Sequence, residues 1–496
     1  MSKKTVFIAA VAGLFIHHAF FYYGHFGGDD MTYAQMAHAL YAGEPDYGHP
    51  FTYRILPLLL LGLSYELFGI NDWASALPAI GCTTIILVLF YRVVGRASVW
   101  LFLLMISCLL SMKWNLFYSD KIMVDVFVSA GIFSAWVAYL KHWRAEAWGR
   151  PVRLGILAAV ALFLAFCSKG TLILAVPLFL AYCVVDLIRG RPTFWLVMGA
   201  TLMILLGVYF AVYHSITGSA LSRFAAIEAH HYLNPCSYDI LPREVLIERL
   251  TSGYLQLLKH SGMLVHGVFA ILTLTLLAWK KTLQRPAIFY PVTALICLIS
   301  VNFMTISTDS YNPVCLDPRH ILLFSPILSV CTTYSLLVLC KSFDIRTEGW
   351  QFKLAIAAIC CALAYPSIKL AIYNRELEYA MVKERFQRVI KEFPRSSTIY
   401  GSEVTKMYSR YTAEFEEGKI GLTFLNIEQL PHCGLTDDAE HSYLLRSWYT
   451  DWHSEISDLT FDTTLANHGI ERYDSDIEVA GLILHRLRCS EASTDN

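Results

Sequence analysis

Long apolar runs separated by short charged gaps dominate the first three quarters of the chain. A helix needs roughly 20 residues to cross the hydrocarbon core of a bilayer. Runs of that order lie at 5–24, 73–91, 98–113, 122–140, 153–168, 171–188, 194–213, 262–279, 287–306, 320–340 and 352–373, which predicts eleven spans. The first follows Met1-Ser2-Lys3-Lys4 and is too long, with no small-residue cleavage site behind it, to be a signal peptide; it is expected to be a retained span. A further apolar stretch from Pro57 to Gly69 is short and proline-flanked, so it is expected to lie along the membrane surface.

The basic residues orient these spans. Lys3 and Lys4; Arg92 and Arg96; Lys141, Arg144, Arg150 and Arg153; Arg189 and Arg191; Lys280, Lys281 and Arg285; and Lys341, Arg346 and Lys353 all fall in alternate gaps. Cytoplasmic loops carry the excess of Lys and Arg, so the opposite gaps face the periplasm or the lumen. Two of these exterior gaps are long, 25–72 and 214–261. After 373 charge becomes frequent and apolar runs shorten, so 1–373 reads as a transmembrane domain and 374–496 as a small exterior domain of α/β or α+β type. That domain opens on an amphipathic helix, Asn374 to Phe393. Cys236 with Cys315, and Cys433 with Cys489, lie on the exterior side and are the expected disulfides.

Composition closes off other classes. Of 496 residues 56% are hydrophobic and 16% charged, with a mean hydropathy of +0.47, which excludes a soluble fold of this length. The net charge of −1 and the lack of a basic patch or a phosphate-cradling glycine loop leave no case for nucleic acid or a soluble nucleotide cofactor.

The chemistry must therefore lie in the exterior gaps. The first holds His25-Phe26-Gly27-Gly28-Asp29-Asp30-Met31-Thr32-Tyr33. One acid would suffice to start a helix, with Thr32-x-x-Gln35 as a capping box and Gly43 as the stop. The second acid asks for another role. Arg54, Lys121, Lys169 and Arg319 supply cations, with Asp125, His230, His231 and His320 nearby in the same or other exterior gaps. Carboxylates and cations at one membrane face suit group transfer from a lipid phosphate, a carboxylate acting as base on an acceptor hydroxyl and the cations neutralising the departing phosphate. For Lys121 and Arg223 snorkelling toward headgroups is an equal expectation. Asp125 and Lys169 are the hardest to dismiss as solvated surface, since ionisable groups at membrane depth need a partner or a job.

These stretches resemble GT-C superfamily glycosyltransferases, which include protein O-mannosyltransferases and lipid A aminoarabinose transferases. The resemblance is carried by the acids of the first loop, followed by Tyr33; by Pro50-Phe51-Thr52-Tyr53 running on to Phe68-Gly69; and by Trp73-Ala74 opening a span. It continues in Tyr118-Ser119-Asp120-Lys121-Ile122-Met123-Val124-Asp125, Ser168-Lys169-Gly170-Thr171 and Pro318-Arg319-His320-Ile321-Leu322-Leu323-Phe324-Ser325-Pro326, and covers roughly 5–340 as order and topology. It implies an all-α, GT-C-like membrane domain and an inverting transfer of sugar from a polyprenyl-phosphate donor. The acceptor would be a lipid-linked glycan or a protein, as in lipopolysaccharide or O-antigen modification at a bacterial inner membrane.

It implies Asp29 or Asp30 as catalytic carboxylate, the Asp-Asp pair leaving open which one. Arg319, Lys169, Arg54 and Lys121 would hold the donor phosphate, Arg54 on its chemistry alone. Tyr33, Asp125, His230, His231 and His320 would support the site or meet the acceptor. Some members bind a divalent metal ion through such acids, for which Asp29, Asp30 and Asp125 are the candidates here, whereas the histidine pair reads rather as a loop feature or acceptor contact. The 374–496 domain resembles no domain of that superfamily. The rival expectations are a transporter or flippase, which would show repeated, broken spans, and a non-catalytic assembly subunit.

Overall fold

A computed structural model describes residues 2–22, 24–25, 28–95, 98–144, 150–229, 236, 238–282, 285–307, 310–343, 349–373, 381–393, 396–416, 421–432, 442–454, 457–479 and 482–489. The chain divides into two compact units. One comprises 1–20, 44–60 and 76–371, the other 21–43, 61–75 and 372–496. Two segments earlier in the chain, including the one with the acid pair, are thus grouped with 372–496.

Every expected span is occupied by a helix. Among the described residues six are long and apolar enough to cross a membrane alone: Lys3–Phe21, Asp72–Val94, Gly170–Ile188, Thr193–Thr217, Pro318–Ser342 and Phe352–Tyr373. A seventh candidate is the pair Arg243–Ser261 and Leu264–Trp279, bent by 101°. The protein is accordingly an integral membrane protein. Others fall short: Val99–Ser111 has 13 residues, about 20 Å of helix against a core of about 30 Å. Eleven full-length spans are therefore not what the described helices provide, because Val99–Ser111, Pro151–Phe166 and Ala287–Phe303 have only 10–17 residues.

Close helix contacts in the first unit rest on small residues. A Cβ on Gly131 would stand 2.8 Å from both the Ala161 carbonyl oxygen and the Ala165 Cβ. That leaves Asp125–Arg144 and Pro151–Phe166 in backbone-to-backbone contact. Gly131→Leu is expected to force these helices apart, lowering the thermal midpoint and the monodisperse yield in detergent, whereas Gly199→Leu, where a Cβ meets nothing within 4 Å, should change neither. Trp136, Phe133, Phe102, Phe324 and Phe194 fill the interior beside them. Between its helices lies an apolar cavity of about 260 Å³ whose walls include Leu14, Leu87, Leu109 and Asp125. The disulfide Cys236–Cys315 closes two loops of this unit, as expected.

The second unit carries a five-stranded mixed sheet, β1 (Thr398–Gly401), β2 (Thr423–Asn426), β3 (Ser442–Arg446), β4 (Ile470–Val479) and β5 (Leu482–Cys489), in the order β2-β1-β3-β5-β4. β1 is parallel to β2 and β3, whereas β5 is antiparallel to β3 and β4. Tyr400, Leu444, Leu487, Phe461 and Leu465 form its core. The expected amphipathic helix is present as Val382–Glu392, with Val382, Phe386, Val389 and Ile390 buried at helical spacing; residues 374–380 of that expectation lie outside the described residues. Cys489 is disulfide-bonded, and its expected partner Cys433 lies outside the described residues as well.

Candidate active site

The acid pair opens the helix Asp29–Ala42. Gly28, not Thr32, occupies the cap position, so the capping box does not form; Gly43 ends the helix in the left-handed region at φ 79°. The two acids differ. Asp30 is fully buried; its Oδ1 accepts the backbone N–H of Gly28 at 3.0 Å and of Met31 at 2.9 Å, and its Oδ2 lies 3.5 Å from His25 Nδ1. Asp29 is half-buried in the same turn, where the helix dipole favours a carboxylate. Tyr33, one turn on, is buried in the same unit.

In the first unit the structure brings together Asp125, Lys169, Arg319 and His320, from three distant stretches. Lys169 Nζ donates to Asp125 Oδ1 and Oδ2 at 3.0 and 3.1 Å, and lies 3.2 Å from His320 Nε2. His320 Nδ1 stands 3.1 Å from the Cys315 carbonyl oxygen. That geometry makes Nδ1 the protonated nitrogen and leaves the Nε2 lone pair for the ammonium. Arg319 Nε donates to Asp317 Oδ2 at 2.8 Å, and its side chain is 23% exposed, more than the 11% of Lys169. Asp317 also caps the short helix by accepting the Arg319 N–H.

Lys121 and Asp120 form a second buried centre, with Nζ to Oδ1 at 3.0 Å. The opposite oxygen of Asp120 faces His18 Nδ1 at 3.3 Å and His17 Nε2 at 3.8 Å. Lys121 is only 1% exposed and Arg223 3% exposed, so neither snorkels. Arg223 instead donates to the Phe166 carbonyl at 2.9 Å, with its guanidinium over the Phe166 ring. Burial opposes the charge on Asp120, but Lys121 and the two histidines overcome it and hold the carboxyl below its ordinary value. A carboxylate depressed on folding adds stability above its unfolded value near 3.8, and that stability is lost as pH falls through the depressed value. The thermal midpoint of the wild type should therefore fall on acidification below that region, and Asp120→Asn should flatten this acid limb of the profile.

Arg54 lies over the Phe51 ring at 3.9 Å and is half-buried. His230 and His231 lie outside the described residues. Among the described residues no group of three or more His, Cys, Asp or Glu side chains could hold a metal ion, and both oxygens of Asp125 face Lys169.

Sequence reasoning passed over His17, His18, His25, Asp72 and Arg249. The histidine pair inside an apolar span was a usable signal, since such groups need a partner. Arg249 was not findable, because all its acceptors are uncharged: the Val314 carbonyl at 2.7 Å, the Asn302 carbonyl and side chain at 2.6 Å, and the Val301 carbonyl at 3.4 Å.

No family model matches the sequence, and no curated protein matches it. Among solved structures the chain is similar to ArnT, the lipid A aminoarabinose transferase, from Cupriavidus metallidurans bound to undecaprenyl phosphate, with a TM-score of 0.59 and 13% identity over 97% of both chains. The apo state of that protein gives 0.54 and 12% over the same shares. The archaeal oligosaccharyltransferase AglB from Archaeoglobus fulgidus, in complex with an inhibitory peptide and a dolichol-phosphate, gives 0.51 and 12% over 83% of this chain and 64% of that one. Both are GT-C proteins, so the chain has the GT-C fold, as the order of its motifs implied. The likeness to the transferase extends over nearly its full length, terminal domain included.

Proposed function

We propose that the protein is a membrane glycosyltransferase that moves a sugar from a polyprenyl-phosphate donor, with inversion, to a hydroxyl of a lipid-linked glycan or a protein. The observation that carries this reading is the GT-C fold shared over 97% of both chains with a protein crystallised with undecaprenyl phosphate. Asp29 is the better base of the pair, because it is half-buried whereas Asp30 is closed to solvent. Arg319, partly exposed and forked for bidentate binding, is the leading phosphate ligand. Lys169 adds charge behind it, with Asp125 and His320 fixing the ammonium. Arg54 and Lys121 take lesser parts, Lys121 being committed to Asp120. The apolar cavity of the first unit suits an aliphatic chain. The alternating basic gaps favour a site on the exterior, periplasmic face of a bacterial inner membrane.

The test is transfer in proteoliposomes supplied with a panel of polyprenyl-phosphate sugars and membrane-extracted acceptors. Labelled sugar should appear on a lipid-linked glycan or a protein, and Arg319→Ala should reduce this at least about 100-fold. Translocation of a lipid-linked glycan with no glycosylated product would overturn the reading in favour of a flippase.

A further inference from the structure

The second unit contains a chain of charges, buried at His25 and Asp30 and half-buried at Asp72 and Lys383, that the transfer reading leaves unused. His25, 1% exposed, has Asp30 Oδ2 at 3.5 Å from Nδ1 and Asp72 Oδ1 at 3.9 Å from Nε2. The other Asp72 oxygen accepts from Lys383 Nζ at 2.6 Å. The four groups come from three separate stretches of the chain. Lys383 belongs to the first turn of the helix Val382–Glu392 that opens the terminal domain.

A second clamp holds the same imidazole. The Tyr411 ring meets His25 edge-on at 4.8 Å, and its hydroxyl shares a 2.9 Å hydrogen bond with Ser75 Oγ, which in turn meets the Tyr65 hydroxyl at 2.9 Å. Tyr411 also comes from the terminal domain and is 1% exposed.

The two buried members of this chain, His25 and Asp30, are costly in isolation. A buried carboxylate without a facing cation, or a buried imidazole without an acceptor, is penalised by several kcal/mol. Lys383 therefore holds Asp72, the Asp72 and Asp30 carboxylates flank the His25 ring at 3.9 and 3.5 Å, and Asp30 stands at the start of the acid helix. Asp29 is the preceding residue in that same helical turn. Whatever sets the Asp30 carboxylate sets the direction of Asp29.

We propose that the terminal domain positions the first-loop acid pair through the charge chain Lys383–Asp72–His25–Asp30, which makes Lys383 and His25 positioning residues for the transfer reaction. The catalytic consequence rests on the transferase reading above; the mechanical linkage does not. This gives the terminal domain a part in preparing the base.

The full chain in lipid nanodiscs tests both parts. Hydrogen exchange of peptides covering 28–42 is measured beside steady-state transfer from the donor panel, for wild type, Lys383→Met and Lys383→Arg. Lys383→Met should accelerate exchange at the start of the acid helix about tenfold and lower kcat about tenfold or more with KM unchanged, and Lys383→Arg should restore both. Lys383→Gln, which keeps polarity without charge, is read the same way if the Met variant does not fold. Unchanged exchange in the charge-removing variants would overturn the linkage. Faster exchange with wild-type kcat would overturn the positioning role. A wild type inactive with every donor, whose acid helix still responds to Lys383→Met, would overturn the transferase reading and leave the linkage standing.

Discussion

Lys169→Met should be among the most damaging single substitutions in the protein, and adding Asp125→Asn should repair much of the damage to stability. The two side chains are 11% and 4% exposed, and the ammonium reaches both carboxylate oxygens. Removing one partner strands the other charge in the protein interior at a cost of roughly 3–5 kcal/mol, while removing both is close to neutral. His320 adds to the asymmetry, because its Nε2 also loses a donor when Lys169 is shortened to an apolar chain. Thermal unfolding of wild type, the two single variants and the double variant in detergent forms a complete cycle. Additive losses would mean that the two residues do not act as a pair. The same four proteins separate structure from function: if Lys169 contributes to phosphate binding, the double variant regains stability while transfer remains depressed.

How much of this was legible beforehand depended on whether a residue's partner could be inferred from local pattern. Helix positions followed from apolar runs, since the bilayer sets their length, and a helix occupies each expected span. The Cys236–Cys315 pairing followed from sidedness. Asp125 and Lys169 were singled out separately as ionisable groups too deep to be solvated, and they turned out to be each other's partner across 44 positions. Lys121 and Arg223 misled because a long cationic side chain near a span end reads equally well as snorkelling, and nothing local to Lys121 signals that His17 and His18 converge on its neighbour Asp120. The Lys383–Asp72 contact spans 311 positions and joins two residues that each look like ordinary helix-start charges. The same holds for the grouping of 21–43 and 61–75 with the terminal domain. Hydropathy places segments relative to the membrane but is silent on which segments between the helices fold together.

The acid pair should divide its labour when each member is replaced by Asn. Asp29→Asn removes a half-buried carboxylate from the first turn, where its interaction with the helix dipole is worth about 0.3–1 kcal/mol. Its thermal midpoint should stay within a degree or two of wild type, while transfer falls by about 100- to 10,000-fold, the range a lost general base produces. Asp30→Asn is a different experiment. The amide oxygen can still accept the Gly28 and Met31 N–H groups, but the amide nitrogen must then face His25, and the buried imidazole loses its charged neighbour. That exchange should cost about 1–3 kcal/mol of stability, with transfer reduced through misplacement of the helix start. Raising the donor concentration would rescue neither variant, because a base and its support act on the chemical step, not on donor affinity. Full activity in Asp29→Asn together with a stable, inactive Asp30→Asn would reverse the assignment and make the buried acid the base. That outcome would also require the helix start to open during turnover, since Asp30 is closed to solvent here.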